Sequence, residues 1–208
     1  MMGLNTTRRA FLIVLTDNIW LHEGIAMLIP EADSCRVAFE SGHLPIELYH
    51  IRRVFIAVDC RIFIRGKWAA LYELLSIRTD ATVIWLTKPE TGLMFPPERQ
   101  ADRVVHQLLN IRSMRKMLLD ALNERQDKND FPPRRSLTRT EKKVLPYFLA
   151  GISIATISRV TGIAEKTLHC HRRHILVKSG FRTWSYFQHI HQRNSSLLGI
   201  SPSLHTII

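Results

Sequence analysis

Thr138-Arg-Thr-Glu-Lys-Lys-Val-Leu-Pro-Tyr-Phe-Leu-Ala-Gly151, then Ile152-Ser-Ile-Ala-Thr-Ile-Ser-Arg-Val-Thr-Gly162, then Ile163-Ala-Glu-Lys-Thr-Leu-His-Cys-His-Arg-Arg-His-Ile-Leu-Val-Lys-Ser-Gly180 is a run of helix starts and stops. Thr138 and Glu141 have capping-box spacing, in which a hydroxyl and a carboxylate each satisfy a backbone N–H at the head of a helix. Val144, Leu145, Phe148 and Leu149 follow at helical spacing, and Gly151 ends the segment. Ser153 is placed to cap a second helix with Ile154, Ile157 and Val160 inward, stopped by Gly162. A third helix is expected from about Glu165 to Ser179, before Gly180, and a fourth from Thr183, carrying Trp184, Phe187 and Ile190.

Two helices joined by a short glycine-containing turn, the second rich in cations, form a helix-turn-helix pattern. On the third helix Leu168 and Ile175, with His171 and Leu176, fall toward the bundle. Lys166, His169, Cys170, Arg173 and Val177 share the opposite face. Such a face can enter a major groove and read base edges, with Thr167, Arg172 and Lys178 flanking it to meet phosphates. Three residues depart from an ideal pattern. Ala164 offers no side chain to cap the third helix, at a cost of about 1 kcal/mol. Pro146 lies inside the first helix and is expected to kink it. His169 gives the reading face a cation whose charge depends on pH.

This stretch resembles the LuxR/FixJ-type (NarL-like) helix-turn-helix through Leu137-Thr138, Glu141, Val144-Leu145, Ala150-Gly151, Ser153, Ile157, Ile163, Lys166-Thr167-Leu168, His171, Ile175, Lys178 and Gly180. The resemblance implies DNA contact at Lys166, Thr167, His169, Cys170 and Arg173, and dimerisation through the last helix. Trp184, Phe187 and Ile190 are the candidate dimer contacts, because a small helical domain cannot bury every aromatic alone.

Charge follows the same division. The chain has 208 residues and a formal net charge of +11. Residues 137–208 hold 10 Lys+Arg against 2 Asp+Glu, a net +8, whereas residues 1–122 carry only +2. The basicity that calls for a polyanion therefore belongs to the last third. Residues 123–136 are polar, with the pair Pro132-Pro133, and read as a linker. The expected organisation is a first domain over 1–122, this linker, a helix-turn-helix domain over 137–196 and a flexible tail over 197–208.

In the first domain Phe11–Leu15, Val54–Val58 and Thr82–Leu86 are continuously apolar, as strands buried on both faces of a parallel sheet should be. Arg36–Phe39 and Arg103–His106 are weaker strand candidates. Ile19–Ile29, Lys67–Ile77 and Ile111–Asn123 have helical spacing. The expected fold class is α/β: a doubly wound parallel (βα)5 domain followed by an all-α four-helix domain. Asp17, Asp59 and Thr87 fall at strand C-termini, where sites in such sheets lie. Two carboxylates there could hold Mg²⁺, or simply cap and turn the chain.

These positions resemble a response-regulator receiver domain, with Leu12-Ile-Val-Leu-Thr-Asp-Asn-Ile-Trp-Leu-His-Glu-Gly24 as first strand, acidic site and opening helix. The resemblance places Asp59 at the phosphoacceptor position and Thr87 at the switch hydroxyl. Thr16 replaces the first acid of the pair, and His106-Gln107 stands where the family has a lysine. A phosphoaspartate needs those charge partners. Asp17, Asp59 and Thr87 are therefore expected to be a vestigial phosphorylation site in a degenerate receiver.

Other classes are set aside on composition. No uncharged apolar run approaches the ~20 residues of a membrane helix. Arg8-Arg9 before Ala10–Leu15 imitates an export signal, but the run stops at Thr16-Asp17 and a small-residue cleavage site is missing. Cys35, Cys60 and Cys170 have no metal-type spacing and read as reduced cytosolic thiols. His169 and His171 diverge by roughly 200° on a helix, so no metal is expected. With no phosphate loop or nucleophile–base constellation, no enzyme and no cofactor are expected either. The expected function is a cytoplasmic, nucleoid-associated transcription regulator that binds double-stranded promoter DNA without control by aspartyl phosphorylation. It would act as a homodimer or, by resemblance to accessory capsule-type regulators, as a heterodimer with another LuxR-type response regulator, with RNA polymerase a further candidate partner. The alternatives are a response regulator switched by phosphorylation of Asp59 and a protein-binding antagonist with no DNA site of its own.

Overall fold

The structure, a computed structural model, describes residues 10–40, 44–49, 51, 53–88, 102–123 and 137–194. Arg8-Arg9, the segment from 124 to 136 and the tail over 197–208 lie outside the described residues. The described residues form two compact units, one within 10–123 and one over 137–194.

The first unit is a five-stranded, all-parallel sheet in the order β2-β1-β3-β4-β5. Its strands are β1 (Phe11–Leu15), β2 (Asp33–Val37), β3 (Val54–Asp59), β4 (Thr82–Thr87) and β5 (Arg103–His106). The helices are α1 (Ile19–Leu28), α2 (Arg61–Arg65), α3 (Ala69–Ile77) and α4 (Ile111–Leu122). All six residues of β3 are buried, because the strand is central and covered on both faces. On one face Leu12, Val14, Phe55, Ala57, Ile84 and Leu86 pack against Ile25 of α1, Ile29 at its C-cap, and Leu118, Ala121 and Leu122 of α4. On the other, Trp85 meets Phe63 and Trp68 with ring centroids 5.6 and 6.2 Å apart. Each fully buried aliphatic or aromatic side chain here contributes about 1.5–3 kcal/mol of transfer free energy. The strand order reverses at β1, so the carboxyl ends of β1 and β3 form the crevice in which a site is built.

Two expectations shift. The second strand is Asp33–Val37, three residues before Arg36–Phe39. It is an edge strand paired only with β1, with a burial pattern too mixed to leave an apolar signature. The helix α2 (Arg61–Arg65) occupies a stretch assigned to no element from the sequence; it ends at Gly66, whose φ of 67° is the left-handed conformation glycine accepts without strain.

The second unit is all-α: α5 (Arg139–Leu149), α6 (Ile154–Thr161), α7 (Glu165–Lys178) and α8 (Trp184–Arg193). Thr138 and Glu141 form the capping box, with Glu141 N–H donating to Thr138 Oγ1 at 3.2 Å and Thr138 N–H to Glu141 Oε2 at 2.7 Å. Val144, Leu145, Phe148 and Leu149 are buried. The helix runs through Pro146 to Leu149. The proline's missing N–H would have met the carbonyl of Lys142, an exposed residue. Ser153 caps α6, and Gly162, at φ 71°, makes the turn into α7. Val160, expected inward, is 45% exposed. Ile157 alone anchors the short α6 as a fully buried residue.

Candidate nucleic-acid interface and receiver-like pocket

At the crevice, Asp59 ends β3 with none of its surface exposed, and its carboxylate is fully engaged. Oδ2 accepts from Thr16 Oγ1 at 2.7 Å and from Arg61 Nε at 2.9 Å, with Arg61 Nη2 at 2.8 Å. Oδ1 accepts from the Arg61 backbone N–H at 3.1 Å and lies 3.5 Å from the Gln107 amide nitrogen, which also donates to the Leu86 carbonyl at 3.0 Å. The turn into α2 explains the arrangement. It brings Arg61, two residues beyond Asp59, back over the strand end, so one guanidinium supplies the positive charge that a buried carboxylate requires.

The other two residues of the expected site are turned to different work. Asp17 accepts from the Phe39 backbone N–H at 3.1 Å, and its second oxygen lies 4.0 Å from Arg65 Nε. Thr87 is buried, with its hydroxyl 2.9 Å from His106 Nδ1. The structure thus brings Asp59, Thr16 and Gln107 together and gives Asp17 and Thr87 separate partners. Arg61 was missed in the sequence: the only signal is a cation two residues after the strand-end acid.

In the helical unit, α7 carries the cationic face. Lys166, Thr167, His169, Cys170, Arg173 and Val177 are exposed, while Leu168 and Ile175 are fully buried. Among the described residues none supplies a side-chain partner to Lys166, Thr167, His169, Cys170 or Arg173. Ala164 makes no side-chain cap, as its lack of a polar group requires, and Glu165 in the first turn suits the helix dipole.

Arg172 and Lys178, expected to flank the face as phosphate contacts, each have a partner within the unit. Arg172 lies over the Trp184 ring, 5.1 Å from its centroid, an interaction worth about 0.5–1 kcal/mol at a part-exposed site. Lys178 Nζ donates to Glu141 Oε2 at 2.7 Å. Glu141 is 2% exposed. Burial pushes its carboxyl toward the neutral form, but Lys178 and the Thr138 backbone and hydroxyl outweigh it and hold the pKa below the ordinary value. Phe187 and Ile190, expected at a dimer interface, are 1% and 0% exposed. Phe187 stacks on Phe181 at 4.7 Å and meets Trp184 at 5.1 Å, so α8 closes its own unit with them.

The chain thus combines an α/β unit that has a crevice at its strand ends with a four-helix unit that carries an exposed cationic helix. Residues 135–182 match the family model "Bacterial regulatory proteins, luxR family". The match lies within the C-terminal unit and covers α5 to α7, its helix-turn-helix. Two solved RcsB structures share the fold. A structure described as two RcsB dimers bound to two parallel DNAs has 13% identity and a TM-score of 0.56, over 89% of this chain and 98% of that one. A two-component response regulator RcsB–DNA complex has 15% identity and a TM-score of 0.54, with the same coverage. Full-length FixJ from B. japonicum has 16% identity, 92% and 100% coverage, and a TM-score of 0.35. No curated protein matches the chain by sequence. Among the described residues no helix is long and apolar enough to cross a membrane, and no cluster of three His, Cys, Asp or Glu side chains could hold a metal ion.

Proposed function

We propose that the chain binds promoter DNA in the cytoplasm, at the nucleoid, by laying α7 in a major groove. Lys166, Thr167, His169, Cys170 and Arg173 make the contacts, while Arg172 and Lys178 hold the helix. The observation that carries this reading is the outward, unpartnered row of polar side chains on α7, beside a fully anchored opposite face. The proposal includes the domain limits 1–122 and 137–196 with 123–136 connecting them. It also includes a dimer, as homodimer or accessory heterodimer; the RcsB structure of comparable fold is described as dimers on DNA. The test is a footprint on duplexes selected by the chain from a random-sequence library. Arg173→Ala should weaken binding at least tenfold, and full affinity in that variant would remove α7 from the groove.

The proposal extends to regulation: the receiver-like unit works without aspartyl phosphorylation. Its support is the carboxylate of Asp59, buried and satisfied by Arg61, Thr16 and Gln107, with Asp17 committed to the Phe39 backbone. A phosphoryl group on Oδ2 would have to displace two donors and would meet the Gln107 amide, not a lysine, at the end of β5. The second reading is a regulator switched by phosphorylation of Asp59. It is favoured by the fold shared with a structure described as a two-component response regulator, and by Asp59 and Thr87 keeping their places at the strand ends. Incubation with a small phosphodonor and Mg²⁺, followed by intact-mass measurement, separates the two. No adduct is expected; an adduct abolished by Asp59→Asn establishes the second reading.

A further inference from the structure

Among the described residues, Glu141 is the one buried acid of the helical unit. Its position joins two elements: Oε2 accepts both from the Thr138 backbone N–H at the head of α5 and from Lys178 Nζ on α7, each at 2.7 Å. Oε1 lies 4.0 Å from His174 Nδ1, one turn before Lys178 on the same strip of α7.

The apolar anchors of α7 cannot do this work alone. Leu168 and Ile175, the two fully buried residues of α7, are seven residues apart and nearly eclipsed along the helix, so by themselves they set its position better than its roll. Arg172 and Lys178 lie on opposite sides of the line from Leu168 to Ile175. Trp184 of α8 holds the first and Glu141 of α5 holds the second. A roll of about 20° would move a side-chain tip by about 2 Å, more than a hydrogen bond to a base edge tolerates.

We propose that Glu141 is a positioning residue for DNA recognition: by holding Lys178 it fixes the roll of α7 that presents Lys166, His169, Cys170 and Arg173 to the groove. The inference rests on the DNA-binding reading above and assigns Lys178 to Glu141 rather than to a phosphate. Glu141→Gln keeps an acceptor for the Thr138 N–H and removes only the charge that holds Lys178. Lys178→Met removes the other partner, and Lys178→Arg keeps the cation.

The full chain and these variants are titrated with the duplex that the wild type selects from a random-sequence library, across a range of salt concentrations. Folding is checked by circular dichroism. Glu141→Gln and Lys178→Met should each weaken specific binding about tenfold. The double variant should be no worse than either single one, and Lys178→Arg should recover most of the affinity. The slope of log affinity against log salt should not change. A slope reduced by about one in Lys178→Met, with Glu141→Gln binding as wild type, would make Lys178 a phosphate contact and overturn the inference. Full affinity in both single variants would overturn it too. If Glu141→Gln does not fold, the contrast between Lys178→Met and Lys178→Arg and the salt slope decide the same question. Failure of the wild type to select any duplex would instead sink the DNA-binding reading.

Discussion

The two units treat their polar side chains in opposite ways. At the end of β3 every oxygen of Asp59 is turned inward and given a partner from its own unit, Arg61 and Thr16 above all. On α7 the polar residues from Lys166 to Arg173 that face outward have no partner among the described residues, while Arg172 and Lys178 have partners in Trp184 and Glu141. A buried charge without a partner costs several kcal/mol, whereas an exposed one costs little, so satisfied groups mark structure and unsatisfied outward ones mark a surface kept for something else. The crevice of the first unit is closed on itself; the outer face of α7 is open.

That contrast breaks first where its effect should be largest. Replacing both Lys166 and Arg173 by Ala should reduce specific DNA affinity by about a hundredfold or more, since each outward base or phosphate contact is worth about 1–3 kcal/mol. The melting temperature should stay within a degree or two of wild type, because neither side chain has a partner to lose. Loss of stability in that double variant would show that these groups are structural after all. In the crevice the expectation reverses. Arg61→Ala should leave DNA affinity of the folded protein near wild type and lower stability by about 1–3 kcal/mol in urea unfolding, because Asp59 stays buried with its cation gone. An unchanged unfolding midpoint would show that the carboxylate finds water or another donor, and that the crevice is more open than its hydrogen bonds indicate.

How much of this was legible follows from where each signal resides. Phe11–Leu15, Val54–Asp59 and Thr82–Thr87 are strands buried on two faces, so their apolar runs announce them. The edge strand Asp33–Val37 is held by backbone pairing to one neighbour, and backbone pairing leaves little trace in side-chain types. In the helical unit the punctuation is local. Thr138 with Glu141, Ser153 and Gly162 each act within a few residues, so they could be read before the fold was known. The inward turn of Lys178 could not be read, because Glu141 lies 37 positions away and only the packing of α7 on α5 brings them together. The same holds for Thr16 with Asp59, which the β1–β3 register aligns across 43 positions. Sequence patterning showed which face of α7 is outward; it could not show which flanking cations were already taken.

A pH scan reads the contrast through a different group. His191 is buried in the helical unit, its Nε2 lacks a hydrogen-bond partner in the structure, and burial holds its pKa below the ordinary 6.5. A folded-state pKa below the unfolded one means that the unfolded chain takes up the proton first. The stability His191 contributes is therefore complete above about pH 6.5 and is lost as pH falls through the folded-state value. Unfolding of the helical unit followed by the fluorescence of Trp184 should show this acid sensitivity, and His191→Leu should reduce it. Equal acid sensitivity in the variant would show that His191 is not its source. The carboxyl of Glu141 is also depressed, but its contribution is lost only at lower pH, as that carboxylate takes up a proton.

The smallest effect tests whether the open helix is restrained by its ends as well as by its flanks. Ala164 occupies the N-cap of α7 in an extended conformation, with φ −56° and ψ 141°, and contributes no side-chain hydrogen bond. A serine there needs no change in the backbone and supplies an oxygen for an N–H of the first turn, so Ala164→Ser should stabilise the unit by about 0.5–1 kcal/mol. The gain should appear in the urea midpoint at constant slope. If Lys178 and Arg172 already fix the roll of α7, the added cap should leave DNA affinity unchanged. If instead the helix frays at its N-terminus, where Lys166 and Thr167 lie, the cap should strengthen binding severalfold as well. Affinity rising together with stability would show that order at the first turn, and not only the grip of Glu141 on the last, limits how well this face meets DNA.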